Sequence, residues 1–388
     1  MTTQDDLLPV GLEDALPERA RTMTTSMRAV LDAMDAHGYD RVRPPLVEFE
    51  HSLAGRMDGV ATRRMIRFTD PDSLRTLALR SDITVQVGRI AATVMAAAPR
   101  PLRLCYAGDV ALLSADQLDP ARQRLQMGAE LIGTDSVAAA SEAVSVAIDA
   151  LSAAGVTNIS IDFTLPDVVD TLAQEAMPLG AEQRDAVRRE LDTKDAGGLR
   201  DAGGEAYLPL LYATGPFNTA IAKLAAIDAG GALASRIAGL REIAATIGDR
   251  ARVTLDPTER HGFEYQSWFG FTLYGEGARR ALGRGGTYTI KGSDEAATGF
   301  VGGTISPEQF ELAAARALLR RPVEMRCAAS PLRALRAVVA NALPGCLLVD
   351  GLVAYFDRRA GHAAQAEILR ERVEDHEEKV QVTGRRCS

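Results

Sequence analysis

After Pro17, apolar residues recur at helical spacing: Met23, Met27, Val30, Leu31 and Met34 share one face, and Gly38 stands where a C-terminal cap belongs. The pattern predicts an amphipathic helix. The next stretch, Tyr39 to Glu48, contains Pro44 and Pro45, which forbid helix and limit ladder hydrogen bonding, so it is expected to be extended or an edge strand. Met65–Asp70 and Thr76–Arg80 flank the turn sequence Pro71-Asp72-Ser73 and predict an antiparallel hairpin. Ser81 and Asp82 then cap a helix expected from Thr84 to Ala98. Leu102–Leu113 and Leu125–Gly133 are apolar runs on either side of a polar segment, read as antiparallel strands joined by a long loop. Ser136–Ala154 is a helical pattern and Val156–Phe163 alternates as a strand.

Asp167 to Gly248 has helical periods broken by paired glycines and few β-branched runs, the pattern of a helical insertion. Strand character resumes in Arg252–Leu255, Gly262–Tyr274, Gly286–Ile290 and Ala297–Thr304. Pro307–Arg320 reads as a helix, Arg321-Pro322 as a joint, Leu347–Phe356 as a hairpin turning at Asp350-Gly351, and His362–Glu378 as a charged helix. Mixed strands divided by a helical insertion do not give the regular βαβ alternation of a doubly wound sheet. The expected organisation is α+β: a domain over residues 1–320 with its insertion at about 167–248, and a small C-terminal α/β segment over 321–388.

Composition narrows the function. The chain has 388 residues, 46% of them hydrophobic and 25% charged, as in a compact soluble protein. Its best apolar stretch, Ile90 to Ala98, is far below the roughly 18 residues of a membrane span. The first residues carry no secretory pattern, so a cytoplasmic location is expected. A net charge of −8 argues against a broad nucleic-acid footprint. Five histidines form no HxxxH or HExxH pair, and Cys105, Cys327, Cys346 and Cys387 no CxxC pair, so neither a metal, a disulfide framework nor a cofactor is expected. Phosphate loops, GxGxxG turns and nucleophile elbows are absent.

Polar residues set among apolar strands remain: Asp82 and Thr84 after the hairpin, Gln126 and Glu130, and Arg260, Glu264 and Tyr265. Gln126 and Glu130 are four apart on one strand and so project from the same face. Two carboxylates, Asp82 and Glu130, with amide and phenol donors suit a ligand bearing an ammonium or imidazole nitrogen. A polar sheet surface or an internal salt-bridge network fits the same spacing.

Taken together, these segments resemble the catalytic domain of class II histidyl-tRNA synthetases from about Pro17 to about Thr304. The helix followed by Gly-Tyr-Asp-Arg-Val-Arg-Pro-Pro-Leu-Val-Glu48 resembles motif 1, which implies a class II fold, a mainly antiparallel sheet flanked by helices, and a dimer built on that segment. Leu79-Arg-Ser-Asp-Ile-Thr84 resembles Leu-Arg-Pro-Glu-Gly-Thr, whose acid and threonine grip the histidine amino group in that family. Gln126-Met-Gly-Ala-Glu130 resembles its Gln-x-x-x-Glu strand, His261-Gly-Phe-Glu-Tyr-Gln266 its Arg-Gly-Leu-Asp-Tyr-Tyr motif, and Gly285-Gly-Thr-Tyr288 its Gly-Gly-Arg-Tyr. The resemblance thus implies a histidine-like pocket of Asp82, Thr84, Gln126, Glu130, Arg260, His261, Tyr265 and Tyr288. His261 takes an arginine position, with Arg260 beside it, and Gln266 takes that of the second tyrosine.

The departures concern ATP. The motif 2 arginine falls on Leu112, and Thr298–Pro307 lacks the motif 3 arginine, so adenylation should be lost. Synthetase-like chains without these arginines resemble the regulatory subunits that join the short catalytic form of ATP phosphoribosyltransferase. That resemblance implies no catalytic residue in this chain, a partner that condenses ATP with phosphoribosyl pyrophosphate in the first step of histidine biosynthesis, a hetero-octamer, histidine feedback and no tRNA. The rival expectations are a surviving histidyl-tRNA synthetase, a free-standing histidine-binding module, and a scaffold that has lost histidine.

Overall fold

The computed structural model describes residues 8–54, 65–113, 120–174, 176–228, 230–260, 266–278, 280–303, 346–349 and 352–355. The chain divides into two compact units, Met1–Ala313 and Ala314–Ser388. In the first, α1 (Pro17–Ala36) starts on its proline and ends at Gly38, whose φ of +79° suits a residue without a Cβ. Its innermost line is Thr22, Ser26, Val30, Leu31 and Met34; Met23 and Met27 are only partly buried at the edge of the core. The prolines split the predicted extended stretch into β1 (Asp40–Arg41) and β2 (Val47–Phe49), and α2 (Glu50–Ala54) follows. The predicted hairpin is β3 (Arg67–Thr69) with β4 (Thr76–Leu79), Thr69 facing Thr76.

The helix expected from Thr84 to Ala98 is shorter: α3 spans Thr84–Ala92. The guanidinium of Arg100 binds the carbonyls of Ala91, Met95 and Ala98 at 2.8–3.2 Å, taking the acceptors that continued helix would need and leaving a series of turns. Then come β5 (Leu102–Ala111), β6 (Gln123–Ile132), α4 (Val137–Ala153) and β7 (Ser160–Thr164), with α4 capped by the Ser136 hydroxyl. The next stretch holds α5 (Val168–Gln174), α6 (Ala181–Asp192), α7 (Ala196–Asp201), a 3-10 helix (Glu205–Tyr212), β8 (Gly215–Pro216), α8 (Phe217–Ile227) and α9 (Ala234–Ile247). The sheet resumes with β9 (Arg252–Leu255), β10 (Gln266–Tyr274), β11 (Gly283–Ile290) and β12 (Glu295–Gly302).

These strands form one sheet in the order β1-β5-β6-β12-β11-β10-β7-β9-β8, antiparallel except at β1/β5 and β7/β9; β2, β4 and β3 form a smaller sheet. Alternation along the strands divides the core. Cys105, Met127, Ala129, Phe269 and Phe271 join α1, α4 and the helices of the insertion in one cluster, while Leu104, Tyr106, Tyr288 and Ile290 pack with Ile83, Val85 and Val87 in another. The second unit contains β13 (Cys346–Val349) paired with β14 (Leu352–Tyr355), as the predicted hairpin required. The predicted helices at Pro307–Arg320 and His362–Glu378 lie outside the described residues. Among the described residues no helix is long and apolar enough to cross a membrane.

Candidate functional site

Asp82, Thr84, Gln126, Glu130 and Tyr288 meet on the sheet face covered by α3. The turn that starts α3 is pinned from β6: Gln126 accepts the Ile83 N–H at 2.7 Å through Oε1 and donates from Nε2 to Asp82 Oδ1 at 3.2 Å. Asp82 Oδ1 also accepts the Thr84 N–H at 2.9 Å, which sets Thr84 at the head of the helix. Both ends of the Gln126 amide are therefore engaged in holding this turn, a positioning task. The Thr84 hydroxyl lies 2.8 Å from the Tyr106 hydroxyl, which donates to Glu130 Oε1 at 3.0 Å; Tyr288 donates to Glu130 Oε2 at 2.8 Å.

Two glycines make the space. Gly128 faces Tyr106 across the β5/β6 ladder, and a Cβ there would stand 2.4 Å from the phenol oxygen. Gly299 faces Glu130 across β6/β12, and its Cβ would stand 1.7 Å from Oε2. The carboxylate occupies the volume of the missing side chain.

Glu130 is 1% exposed, and burial pushes its carboxyl up to about 8 although the Tyr288 and Tyr106 bonds pull it down. Burial likewise raises Asp82, against the Thr84 and Gln126 bonds. Tyr106 is raised well above its ordinary value by burial and then by the neighbouring Glu130 charge. Glu130, buried, and Asp82, half-buried, have no cation in contact among the described residues, an arrangement suited to a ligand ammonium or protonated ring nitrogen. The adjoining cleft is narrow, with an open volume of about 10 Å³, and is lined by Thr84, Glu130, Tyr288, Gln266, Arg284, Gly285 and Gly286. Gln266 lies along its wall, donating to the Gly285 carbonyl at 2.7 Å.

Arg260 is not among the residues lining that cleft; its backbone N–H is held by Asp192 at the end of α6, at 2.8 Å. His261 and Tyr265 lie outside the described residues. Sequence reasoning missed Tyr106 and Arg284. Both carried the signal that found Gln126 and Glu130: Tyr106 shares the parity of Leu104 on β5, and Arg284 sits four residues before Tyr288 on β11. Leu112, at the motif 2 position, meets Arg122 through its own backbone: the side-chain Nε–H of Arg122 donates to the Leu112 carbonyl at 3.1 Å, and the Leu112 N–H donates to the Arg122 carbonyl at 2.8 Å. Among the described residues no cluster of three or more acidic, histidine or cysteine side chains could hold a metal.

Comparison with known proteins bears on the family and the fold. The family model described as histidyl-tRNA synthetase matches residues 11–302. An ATP phosphoribosyltransferase regulatory subunit from Rhodospirillum centenum is 39% identical over 300 residues, 76% of this chain and 78% of that one. Among solved structures, one described as an ATP phosphoribosyltransferase regulatory subunit/histidyl-tRNA synthetase from Bacillus halodurans C superposes with a TM-score of 0.69 at 22% identity, over 81% of this chain and 84% of that one. A chain of the ATP phosphoribosyl transferase (HisG:HisZ) complex from Thermotoga maritima superposes with a TM-score of 0.57 at 16% identity, over 73% and 98%. The two structural likenesses carry the fold, and the identity to the Rhodospirillum protein carries the rest: this chain belongs to the family of ATP phosphoribosyltransferase regulatory subunits, built on the histidyl-tRNA synthetase fold.

Proposed function

We propose that this chain regulates the first step of histidine biosynthesis without performing it, by joining a separate short catalytic subunit of ATP phosphoribosyltransferase and coupling that subunit's activity to histidine. The observation that carries the reading is the combination at one sheet face: Glu130 held by two phenols beside Asp82 and Thr84, with leucine at 112 where a synthetase needs arginine. An amino-acid receptor is kept while a group that would stabilise adenylyl transfer is gone. The likeness to the Rhodospirillum regulatory subunit and to a chain of the Thermotoga HisG:HisZ complex supports such a partner.

In this reading histidine enters the cleft with a nitrogen against Glu130, while His261 and Tyr265 complete the pocket, and the segment over residues 39–48 joins two copies. The assembly is a cytoplasmic hetero-octamer and takes no tRNA. Histidine regulates because it binds two states of the complex unequally. Co-expression with the short catalytic subunit, followed by size-exclusion chromatography with light scattering, tests the assembly. Co-elution at the mass of a hetero-octamer is expected; separate elution of the two chains overturns the partner claim.

Arg284 at the cleft wall favours a second reading, residual histidine activation, because a cation there could meet a phosphate. ATP/pyrophosphate exchange with histidine decides between them. No exchange above background is expected, and robust turnover would replace the regulatory reading with the synthetase one.

A further inference from the structure

Helix α6 ends in a conformation that its sequence does not favour. Lys194 takes the left-handed position just past the helix, with φ of +60°. Its N–H bonds the Leu191 carbonyl at 3.2 Å and the Asp195 N–H bonds the Glu190 carbonyl at 2.9 Å, the paired bonds of a helix terminus that glycine ordinarily provides. A residue with a Cβ strains the backbone there, and a lysine at that point is explained if its side chain has a task.

The Lys194 ammonium crosses to the turn after β9. It donates to Asp256 Oδ1 at 2.7 Å and to Thr258 Oγ1 at 2.6 Å, and the Thr258 hydroxyl and N–H both donate to the same Asp256 oxygen at 3.1 Å. Thr258 is buried. Asp192, the last residue of α6, accepts the Arg260 N–H at 2.8 Å. One helix end of the insertion therefore grips the turn at Asp256, Thr258 and Arg260. From the sheet side the turn meets acid: the Asp162 carboxyl on β7 is pushed up to about 6 by burial first and then, against its Thr254 bond, by the charges of Glu259 and Asp256. The Lys194 cation offsets that crowding.

Beyond Arg260 the sequence carries His261 and Tyr265, and the described chain returns at Gln266, which lines the Glu130 cleft. Gln266 is fixed from β11, pairing with Tyr288 and donating to the Gly285 carbonyl. Arg260 is fixed from the insertion.

We propose that Asp192 and Lys194 are positioning residues through which the helical insertion sets the ligand affinity of the Glu130 pocket, by holding the approach to His261 and Tyr265. The inference rests on the reading of that pocket as a histidine site. It makes the end of α6 a place where a change in the insertion is felt by the ligand.

Calorimetric titration of the full-length chain with histidine, thermal unfolding without it, and backbone hydrogen exchange over residues 256–260 are compared for the unaltered protein, Lys194→Gly, Lys194→Arg and Asp192→Ala. Lys194→Gly relieves the strained backbone as it removes the ammonium, so it should unfold within about 5 °C of the unaltered protein. It should nevertheless exchange faster over the turn and bind histidine about threefold to tenfold more weakly. Lys194→Arg should restore most of the affinity, and Asp192→Ala should speed exchange at Arg260 and weaken binding over the same range. Unchanged exchange, unchanged affinity in both Lys194→Gly and Asp192→Ala, or a loss that Lys194→Arg shares in full overturns the proposal. If the unaltered protein binds no histidine, the histidine reading of the pocket fails instead, and exchange over 256–260 decides the clamp alone: faster exchange in Lys194→Gly and Asp192→Ala keeps it, and unchanged exchange discards it.

Discussion

Glu130 and Gly299 are register partners on adjacent strands, and the carboxylate of one fills the space where a side chain of the other would be, 1.7 Å from the ideal Cβ position. The glycine is thus part of what seats the carboxylate. Gly299→Ala should push Glu130 off its bonds with Tyr106 and Tyr288 and destabilise the protein by about 1–3 kcal/mol, the usual cost of overpacking. Urea unfolding at unchanged m-value measures it. In a Glu130→Ala background much of that cost should vanish, because the two residues compete for one volume. Additive losses would show that the clash is with the backbone instead.

Much of this site is legible in the sequence. Period-two alternation put Gln126 and Glu130 on one face, and the turn chemistry of Ser81-Asp82 put the acid at the head of α3. Tyr106 was not found because it stands inside the apolar run Leu102–Leu113, where a buried ring reads as core; its ring is indeed core, and only its hydroxyl belongs to the site. The early end of α3 was illegible for a different reason. Arg100, which takes the carbonyls, is itself held by Glu295 from β12, a contact 195 residues distant that no local pattern encodes. The division of residues 39–48 into two strands was implicit in Pro44 and Pro45, whose carbonyls serve Arg80 and Gln86.

The raised Glu130 carboxyl makes a pH prediction with a definite sign. Its folded value of about 8 lies above its usual 4.5, so the folded state binds the proton more tightly and stability falls as pH rises between those two values. The slope is at most about 1.4 kcal/mol per pH unit from this group, with Asp82 acting in the same direction. Glu130→Gln should flatten that fall and be more stable than the unaltered protein at the alkaline end. Denaturant titrations from acid to mildly alkaline pH check it; parallel curves for the two proteins would mean that folding does not shift the Glu130 carboxyl.

The same proton should leave when a cation arrives. Histidine binding near neutral pH is expected to release close to one proton per site, a release that fades above about pH 8 as Glu130 ionises in the free protein. Calorimetry in two buffers of different ionisation enthalpy counts it. Glu130→Gln should bind histidine at least about tenfold more weakly and release no proton from this site. Equal proton release by both proteins would assign the titration elsewhere.

Gln126 holds the 82–84 turn through both ends of its amide, so it should act by position. Gln126→Glu cannot donate to Asp82 and sets two acids together; it should weaken histidine binding about tenfold or more, whereas Gln126→Met, which removes the amide without adding charge, should loosen the turn and lower thermal stability as well. Unfolding curves alongside calorimetry separate the two effects.

The central claim, regulation of a catalytic partner by this chain, is tested most directly by the steady-state rate of the short ATP phosphoribosyltransferase subunit as this chain is titrated in, with and without histidine. The account predicts that activity rises to a plateau with added chain, that histidine suppresses it, and that Glu130→Ala keeps the rise while blunting the suppression. A catalytic subunit that is equally active, and equally inhibited by histidine, with or without this chain would contradict it.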